Sequence, residues 1–443
     1  MTSKRSKILD ENVLSICPYF KRFCANPFDE TKNPNGILNL GVAENMLCED
    51  MIAGKLASIQ NWFPEYNYYP DAGGELAFRK ELCQFFTRFF LLHNTIQLEP
   101  KRLLITSGAT TGFALYSFVL ADINDVFIVA SPYYSVMDRD ISLLTHNTVI
   151  RCPLLDQDKG LFRIHVDIYR RGYNEAIKNG LTPKCIIITN PQNPQGSFYD
   201  EETLMPILEF AAEKQIHVIV DEIYALSIFK TSKQPFTSIL NYQHLPDPKR
   251  THFLWSFSKD FGLSGARLGV LYFGTEEICR KAQKLNYLFL PSRAIQMTLI
   301  NLISDHEWVE VYIETNQRRL TEQYFYVINQ LKLISNNRIQ VYKSNAGFFI
   351  WANFQSYMKE KTFDEELRLY NAIFNGGVFI SRGKNMGAAE PGWFRLVFSV
   401  KDNWINEALG RIQVALERYE ENCEGRGTKR FRRHYSLIDH IPT

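Results

Sequence analysis

The feature that most restricts the fold is a repeated alternation of short apolar runs with helix-like stretches, beginning near residue 100. Six runs are rich in β-branched residues, and several are apolar almost throughout, which is typical of strands buried on both faces of a sheet. They are RLLITSG, VFIVAS, CIIITN, HVIVDEI, HFLWSFS and GVLYFG. This order predicts an α/β fold: a mainly parallel sheet sandwiched by helices, with ligands bound at the carboxyl ends of the strands.

The segment between the third and fourth runs, DEETLMPILEFAAEKQ, illustrates the helical half of the pattern. We predict a helix here that is capped by Thr203. Its apolar face is formed by Leu204, Leu208, Ala211 and Ala212.

The pattern changes after Gly274 to long, charged amphipathic stretches followed by two short strand candidates, AGFFIWANF and WFRLVFSV. A chain of 443 residues is more typical of two domains than of one. We therefore predict a large domain over residues 59–290 and a smaller α+β domain over residues 291–420. An N-terminal segment, residues 1–58, is also assigned to the smaller domain. Residues 421–443 are expected to form a basic, mobile tail.

Composition argues against several classes of partner. The 50 Lys and Arg residues nearly balance the 48 Asp and Glu residues, so no overall field would attract nucleic acid or a membrane surface. The apolar runs are too short to span a bilayer and the first residues lack a secretion signal, so a cytoplasmic protein is expected. The eight cysteines form no C-x-x-C pair and no cluster with histidine. They are therefore expected to be buried thiols rather than disulfides or metal ligands.

Three neighbouring strands are predicted to end in an amide, a carboxylate with a phenol, and an amine. Pyridoxal 5'-phosphate requires such groups, because a lysine holds it as a Schiff base and a carboxylate keeps its ring nitrogen protonated. The sequence thus predicts a site for this cofactor. The side chains concerned are Asn193 in NPQNPQG, Asp221 and Tyr224 in DEIY, and Ser256, Ser258 and Lys259 in SFSK.

A phosphate site is predicted where ITSG leads into an apolar helix. The backbone N–H groups of Ala109 and Thr110 would point outward at the start of that helix, and such a terminus binds phosphate without a basic residue. Arg267 would add a guanidinium fork, and Ser256 and Ser258 would add hydroxyls. Tyr134, which follows another strand, could stack on the cofactor ring.

Each of these features alone has a simpler interpretation. An aspartate after a strand is often a helix cap, a single lysine is usually solvated, and Arg395 could form a surface salt bridge. The order and spacing of the motifs therefore carry the cofactor prediction, rather than any one residue.

The stretch SFSKDFGLSGARLG fits the pattern S-x-S-K-x-x-G-x-x-G-x-R-x-G and resembles the lysine signature of class I and II aminotransferases, which have the pyridoxal-phosphate fold type I. NPQNPQG and DEIY occur in the same order as in that family, and the resemblance runs from about Leu38 to Leu416. Within the family, the chain is most similar to aminocyclopropane-carboxylate synthases and the animal proteins named for likeness to them. The supporting stretches are LNLGVAENMLCEDMI, SPYYSVMDRDI, KSNAGFFIWANF and EPGWFRLVFSV.

The resemblance implies a role for each site residue. Lys259 would form the Schiff base and act as the acid–base catalyst, which needs a pKa well below the free value of about 10.4. Asp221 would pair with the pyridine nitrogen. The remaining cofactor contacts would be Asn193 and Tyr224 at the ring hydroxyl, Tyr134 on the ring face, and Ala109, Thr110, Ser256, Ser258 and Arg267 at the phosphate. Tyr69 would reach the phosphate of a partner subunit in a homodimer that shares its active sites.

For the amino acid substrate, the resemblance implies that Arg395 binds the α-carboxylate in a two-pronged pair, a task that lysine performs poorly. Asn193 and Glu44 would complete the substrate site. Glu44 resembles the glutamate of the synthases.

The reaction is open among three possibilities. Transamination ranks first, because YYPDAGGELAFR has the aminotransferase form and no serine-rich loop precedes EPGWFR. Elimination or ring closure on S-adenosylmethionine or a related substrate is the alternative, which Glu44 supports. A third possibility is a protein that binds the cofactor or a partner without catalysis, but the intact Lys259, Asp221 and Arg395 argue against it.

Overall fold

The computed structural model describes residues 17–59, 62–91 and 96–423. The strands are β1 (Leu38–Asn39), β2 (Leu103–Thr106), β3 (Val126–Ser131), β4 (Thr148–Pro153), β5 (Pro183–Thr189), β6 (His217–Asp221), β7 (Thr251–Ser256), β8 (Gly269–Tyr272), β9 (Gln340–Val341), β10 (Phe349–Asn353), β11 (Val378–Phe379), β12 (Ser381–Arg382) and β13 (Trp393–Val397). The helices are α1 (Cys17–Ala25), α2 (Glu49–Ser58), α3 (Leu76–Phe89), α4 (Ala109–Leu120), α5 (Met137–Thr145), α6 (Val166–Lys178), α7 (Glu201–Glu213), α8 (Phe257–Asp260), α9 (Glu276–Asn286), α10 (Arg293–Ile303), α11 (His306–Ile334), α12 (Phe363–Asn375) and α13 (Asp402–Cys423).

The central sheet has seven strands in the order β2-β8-β7-β6-β5-β3-β4. The pairs from β7 through β6, β5 and β3 to β4 are parallel, and only β8 runs against its neighbours. Side chains of β5 alternate between two apolar cores, with Ile186 and Ile188 in one and Ile187 in the other. Helices therefore cover both faces, and the predicted sandwich of helices around a mainly parallel sheet is confirmed.

The six predicted apolar runs coincide with β2, β3, β5, β6, β7 and β8. The edge strand β4 was not predicted, because its burial alternates and Arg151 is exposed. The predicted cap of α7 at Thr203 is wrong. The helix begins at Glu201, and Asp200 is the cap because its side chain accepts a hydrogen bond from the Thr203 backbone N–H at 2.9 Å.

A smaller antiparallel sheet, β12-β13-β10-β9, follows the long helix α11. Strand β1 near the N-terminus pairs in parallel with β11, and Leu38 and Leu40 join the same apolar core as Phe349. The N-terminal segment thus packs with the C-terminal part of the chain. The domain boundaries at residues 58/59 and 290/291 stay predictions, and most of the predicted tail, residues 424–443, lies outside the described residues.

Among the described residues, no helix is long and apolar enough to cross a membrane, and no group of three or more His, Cys, Asp or Glu side chains is placed to hold a metal ion. Of the cysteines whose side chains the structure describes, five are buried free thiols and Cys24 is an exposed one. The buried thiols are Cys48, Cys83, Cys152, Cys185 and Cys279.

Candidate active site

The candidate site lies at the carboxyl edge of the central sheet, where β5, β6 and β7 end side by side. The register pairs Thr189 with Asp221 and Asp221 with Leu254. The loop that carries Asn193, the end of β6 and the turn into α8 therefore leave the sheet at the same edge, as the strand pattern predicted.

Lys259 lies on the short helix α8, immediately after β7. Ser256 ends the strand, and its hydroxyl accepts a hydrogen bond from the Ser258 backbone N–H at 3.1 Å, which caps α8. The Lys259 amine donates to the carbonyl oxygen of Ala43 at 2.6 Å. A backbone oxygen from the N-terminal segment thus holds the amine at the sheet edge.

The Lys259 amine is poised to lose its proton near neutral pH. Burial lowers the pKa to about 8, with a further contribution from the positive charge of Arg395. The charge of Arg267 also lowers this pKa, by less than burial or Arg395. The negative charges of Glu44 and Asp221 act in the opposite direction.

Asp221 is a buried carboxyl group, and few hydrogen bonds offset the cost of burying its charge. The backbone N–H of Ile223 approaches it at 3.4 Å, and burial raises its pKa to about 7. The charge of Lys259 partly opposes that rise. Such a group needs a cationic or N–H partner, which a protonated ring nitrogen would supply.

Tyr224 and Asn193 line the same region. Tyr224 packs edge-on against Phe348 and Phe349, with ring centroids 5.2 Å away in each case, and burial raises the pKa of its phenol. The Asn193 amide oxygen accepts a hydrogen bond from Arg395 at 2.9 Å. This contact links the edge of the large sheet to the smaller antiparallel sheet.

Arg395 is a buried cation on β13, opposite Trp351 of β10. Besides Asn193, its guanidinium donates to the carbonyl of Gly41 at 2.5 Å and to the hydroxyl of Ser381 at 3.2 Å. These acceptors are all neutral, and Nε is buried with no hydrogen-bond partner in the part of the chain that the structure describes. A buried guanidinium in this state is suited to an incoming carboxylate.

The residues of the predicted phosphate site lie at the start of α4. The cap residue Gly108 has φ +87°, and no side chain caps the helix, so the first N–H groups are left for a ligand. A Cβ at Gly108 would lie 2.6 Å from Nη2 of Arg267, so glycine permits this close approach. Ala109 and Thr110 are the first two residues of the helix.

The hydroxyls of Ser256 and Ser258, which are predicted to contact the phosphate, make hydrogen bonds within the chain. The Ser256 hydroxyl caps α8 and contacts the Leu268 carbonyl and the Ser258 hydroxyl, both at 2.8 Å. The Ser256 hydroxyl therefore stabilises the turn from β7 into α8. Its contact with the phosphate stays a prediction.

Of the remaining predicted site residues, Glu44 lies near Lys259 and Tyr69 lies on the surface. The side chain of Glu44 is close enough to Lys259 to act on its charge, and the Glu44 carbonyl accepts a hydrogen bond from Ser399 at 2.6 Å. Tyr69 is 87% exposed, so it does not complete the site of its own subunit.

Sequence reasoning missed several groups that shape the site. The carbonyls of Gly41 and Ala43 act through the backbone, so no residue type reveals them. Asp260 follows Lys259 and is fully buried, and it accepts hydrogen bonds from Trp255 at 2.8 Å and Ser227 at 2.7 Å. It thereby ties the lysine helix to the segment after Tyr224, and its position beside Lys259 was the one available signal.

The residues present fit a phosphorylated aromatic aldehyde. An uncapped helix start with an adjacent guanidinium suits a phosphate, a buried carboxyl suits a protonated ring nitrogen, and an amine with a lowered pKa suits an aldehyde. The Arg395 guanidinium, which donates to neutral oxygens, adds a place for a carboxylate beside them.

Comparisons with known proteins agree with this geometry. The family described as aminotransferase class I and II matches residues 35–412. A Bos taurus relative, 1-aminocyclopropane-1-carboxylate synthase-like protein 1, is 34% identical and the match covers 92% of this chain and 81% of that protein. A Homo sapiens relative named probable inactive 1-aminocyclopropane-1-carboxylate synthase-like protein 2 is 33% identical, with coverage of 90% and 69%. A Thermus thermophilus aspartate aminotransferase double mutant superposes with a TM-score of 0.73 at 17% identity, covering 94% of this chain and 99% of that one, which shows the fold.

Proposed function

Because the chain belongs to the class I and II aminotransferases, we propose that it is a pyridoxal 5'-phosphate-dependent enzyme that transaminates an α-amino acid. One observation carries the proposal. A low-pKa lysine, a buried carboxyl group and a buried guanidinium that donates to neutral oxygens converge on one edge of the sheet, from distant parts of the sequence. They are Lys259, Asp221 and Arg395.

The cofactor would be held at three points. The N–H groups of Ala109 and Thr110, with Arg267, would bind its phosphate, Asp221 would face its ring nitrogen, and Lys259 would form the covalent link. Bound pyridoxal phosphate would supply a ring that withdraws electrons from the Cα of an amino acid.

The chain's own groups would then position the substrate and move the proton. Arg395 would bind the α-carboxylate through two parallel N–H donors, which fixes the Cα–H bond relative to the sheet edge. Lys259 would take the Cα proton on Nζ and return it at another carbon. Burial of the amine keeps a useful fraction unprotonated at neutral pH.

A homodimer with shared active sites is part of the proposal. Large apolar side chains are exposed on two adjoining segments, which are linked by hydrogen bonds from Asn286 to the Ala72 carbonyl and from Arg293 to the Glu65 carbonyl. A patch of this kind is typical of a subunit interface. This dimer face comprises Trp62, Phe63, Tyr68, Tyr69, Leu76, Tyr287 and Leu288.

Two observations favour other outcomes. The position of Glu44 near Lys259, with the synthase-like name of the Bos taurus relative, favours elimination or ring closure as the second candidate. The name of the Homo sapiens relative favours cofactor binding without turnover.

A substrate screen separates the three. Purified protein loaded with pyridoxal phosphate would be incubated with single amino acids and a 2-oxo acid, and with S-adenosylmethionine. Matched pairs of new oxo acid and new amino acid are the expected result. Methylthioadenosine with aminocyclopropane carboxylate would support the second candidate. No product and no spectral change with any amino acid would contradict both reactions.

A further inference from the structure

We propose that Asp140 is a positioning residue of the cofactor site, which orients the Thr110 hydroxyl and, through it, the ring of Tyr134. The inference rests on the proposed function, because Thr110 and Tyr134 are assigned there to the phosphate and to the ring face. It adds a carboxylate to which the sequence motifs assigned no role.

Asp140 lies in the first turn of α5, which packs along α4, the helix that begins with Ala109 and Thr110. Its side chain is 1% exposed. Oδ1 accepts a hydrogen bond from Arg139 at 3.2 Å, whereas Oδ2 is buried and has no hydrogen-bond partner among the described residues. One carboxylate oxygen is therefore available to a neighbouring donor.

The Thr110 hydroxyl is the donor that the packing brings to Asp140. It is close enough to stabilise the charged carboxylate, opposing the burial that raises the pKa of Asp140 to about 6. It also lies close enough to the Tyr134 phenol to interact with it, and burial is the main cause of the raised pKa of that phenol. Thr110 thus lies between the two side chains.

A hydroxyl donates one hydrogen and accepts through two lone pairs, so a single threonine can serve both neighbours. Thr110 would donate to Oδ2 of Asp140 and accept from the Tyr134 hydroxyl. This arrangement leaves the Thr110 backbone N–H for the phosphate and fixes the plane of the tyrosine ring.

A negative charge at Asp140 would oppose phosphate binding unless other groups engage it. A carboxylate beside a phosphate site repels the phosphate, and Arg139 and Arg267 are the cations that act on Asp140 most directly. Engagement by Thr110 and Arg139 directs its lone pairs away from the ligand. Asp140 can then orient Thr110 while its electrostatic repulsion of the phosphate is reduced.

The test measures the dissociation constant of pyridoxal phosphate from the cofactor-free protein by fluorescence titration. Asp140→Ala and Thr110→Val are each expected to weaken binding about 5- to 10-fold, as loss of one hydrogen bond would. The double variant should be little weaker than either single one, because both remove the same interaction. Asp140→Asn should stay within about twofold of wild type, since its amide oxygen accepts the same hydrogen bond.

Asp138→Asn is the matched control, because Asp138 is on the same turn but pairs with Arg151, and it should bind as wild type does. A second cycle, Thr110→Val with Tyr134→Phe, leaves Asp140 intact and should show the same non-additivity, so the test survives if Asp140→Ala does not fold. Wild-type affinity in Asp140→Ala, or additive effects in both cycles, would overturn the inference. Failure of the wild-type protein to bind the cofactor would instead contradict the proposed function.

Discussion

Lys259 and Arg395 are two basic groups buried at one edge of the sheet, and the charge of Arg395 lowers the pKa of Lys259. The hydrogen bonds of both go to neutral oxygens. A substrate carboxylate bound to Arg395 would cancel the charge that opposes protonation of the amine. Substrate binding would therefore strengthen Lys259 as a base at the moment when a base is required.

Replacement of Arg395 should separate substrate binding from the rest of the site. A charge-assisted pair contributes about 1.5–3 kcal/mol, so Arg395→Ala should raise KM for the amino acid by roughly 10- to 100-fold or more. Arg395→Lys should recover only part of this loss, because an ammonium group lacks the planar fork. Steady-state kinetics measures both, with the exposed Arg368→Ala as control. An unchanged KM in Arg395→Ala would move the carboxylate site elsewhere.

The pKa of Lys259 sets a pH dependence for capture of the cofactor. Only the neutral amine attacks an aldehyde, so the rate constant for covalent binding of pyridoxal phosphate should rise with pH through about 8 and then level off. Stopped-flow absorbance on the cofactor-free protein follows this step. A rate that keeps rising to pH 10 would show that the amine is not perturbed in the free protein.

At the scale of strands and helices, the parallel sheet could be predicted because its strands contribute side chains to two cores and so read as continuous apolar runs. Strand β4 could not, because it lies at the sheet edge and exposes alternate residues. The placement of Asn193, Asp221 and Lys259 at strand ends could also be predicted, because each follows one of these apolar runs. The hydrogen bonds that the Gly41 and Ala43 carbonyls accept could not be predicted, because they depend on how the N-terminal segment packs against the sheet edge.

A pair of histidines on β6 and β7 gives a test of the sheet at its other end. The Gly274 N–H donates to Nδ1 of His252, so the proton of that ring is on Nε2 and is donated to Nδ1 of His217 at 3.0 Å. Burial lowers the pKa of His217 to about 4 and that of His252 well below its usual range. The His217 ring is therefore neutral in the folded protein at pH 5, whereas in the unfolded chain it would be largely protonated.

The folded pKa of His217 is below its unfolded value of about 6.5, so its contribution is complete above that pH and is lost as pH falls toward 4. Wild type should lose about 2 kcal/mol from this residue between pH 7 and pH 5. Buried Asp221, Glu222 and Asp260 have raised pKa values and act in the opposite direction. The measurement is therefore the difference in unfolding free energy between His217→Gln and wild type, obtained with urea.

That difference should shrink by about 2 kcal/mol on going from pH 7 to pH 5. The control is His146→Asn, at an exposed position with φ +58° that asparagine tolerates, and its difference from wild type should be the same at both pH values. A constant difference for His217→Gln would contradict the neutral histidine pair.

At the scale of the whole molecule, the site is assembled from three stretches that are far apart in sequence: the N-terminal segment, the sheet edge and β13. The dimer face predicts a fourth contribution, Tyr69 from a partner subunit. Tyr69→Glu combined with Trp62→Glu should yield monomers in sedimentation velocity, because charges would be buried in an apolar interface. Ile177→Glu, an exposed apolar position on α6, should stay dimeric. A wild-type protein that sediments as a monomer would contradict the shared-site arrangement.

The most direct test of the account is the identity of the residue that binds pyridoxal phosphate. The loaded protein would be reduced with borohydride, digested and analysed by mass spectrometry, with Lys259→Ala and the surface variant Lys230→Ala as comparisons. We expect the cofactor mass on the peptide containing Lys259 in wild type and in Lys230→Ala, and a colourless, unmodified Lys259→Ala protein. A modified lysine elsewhere, or a Lys259→Ala protein that stays yellow and reducible, would contradict it.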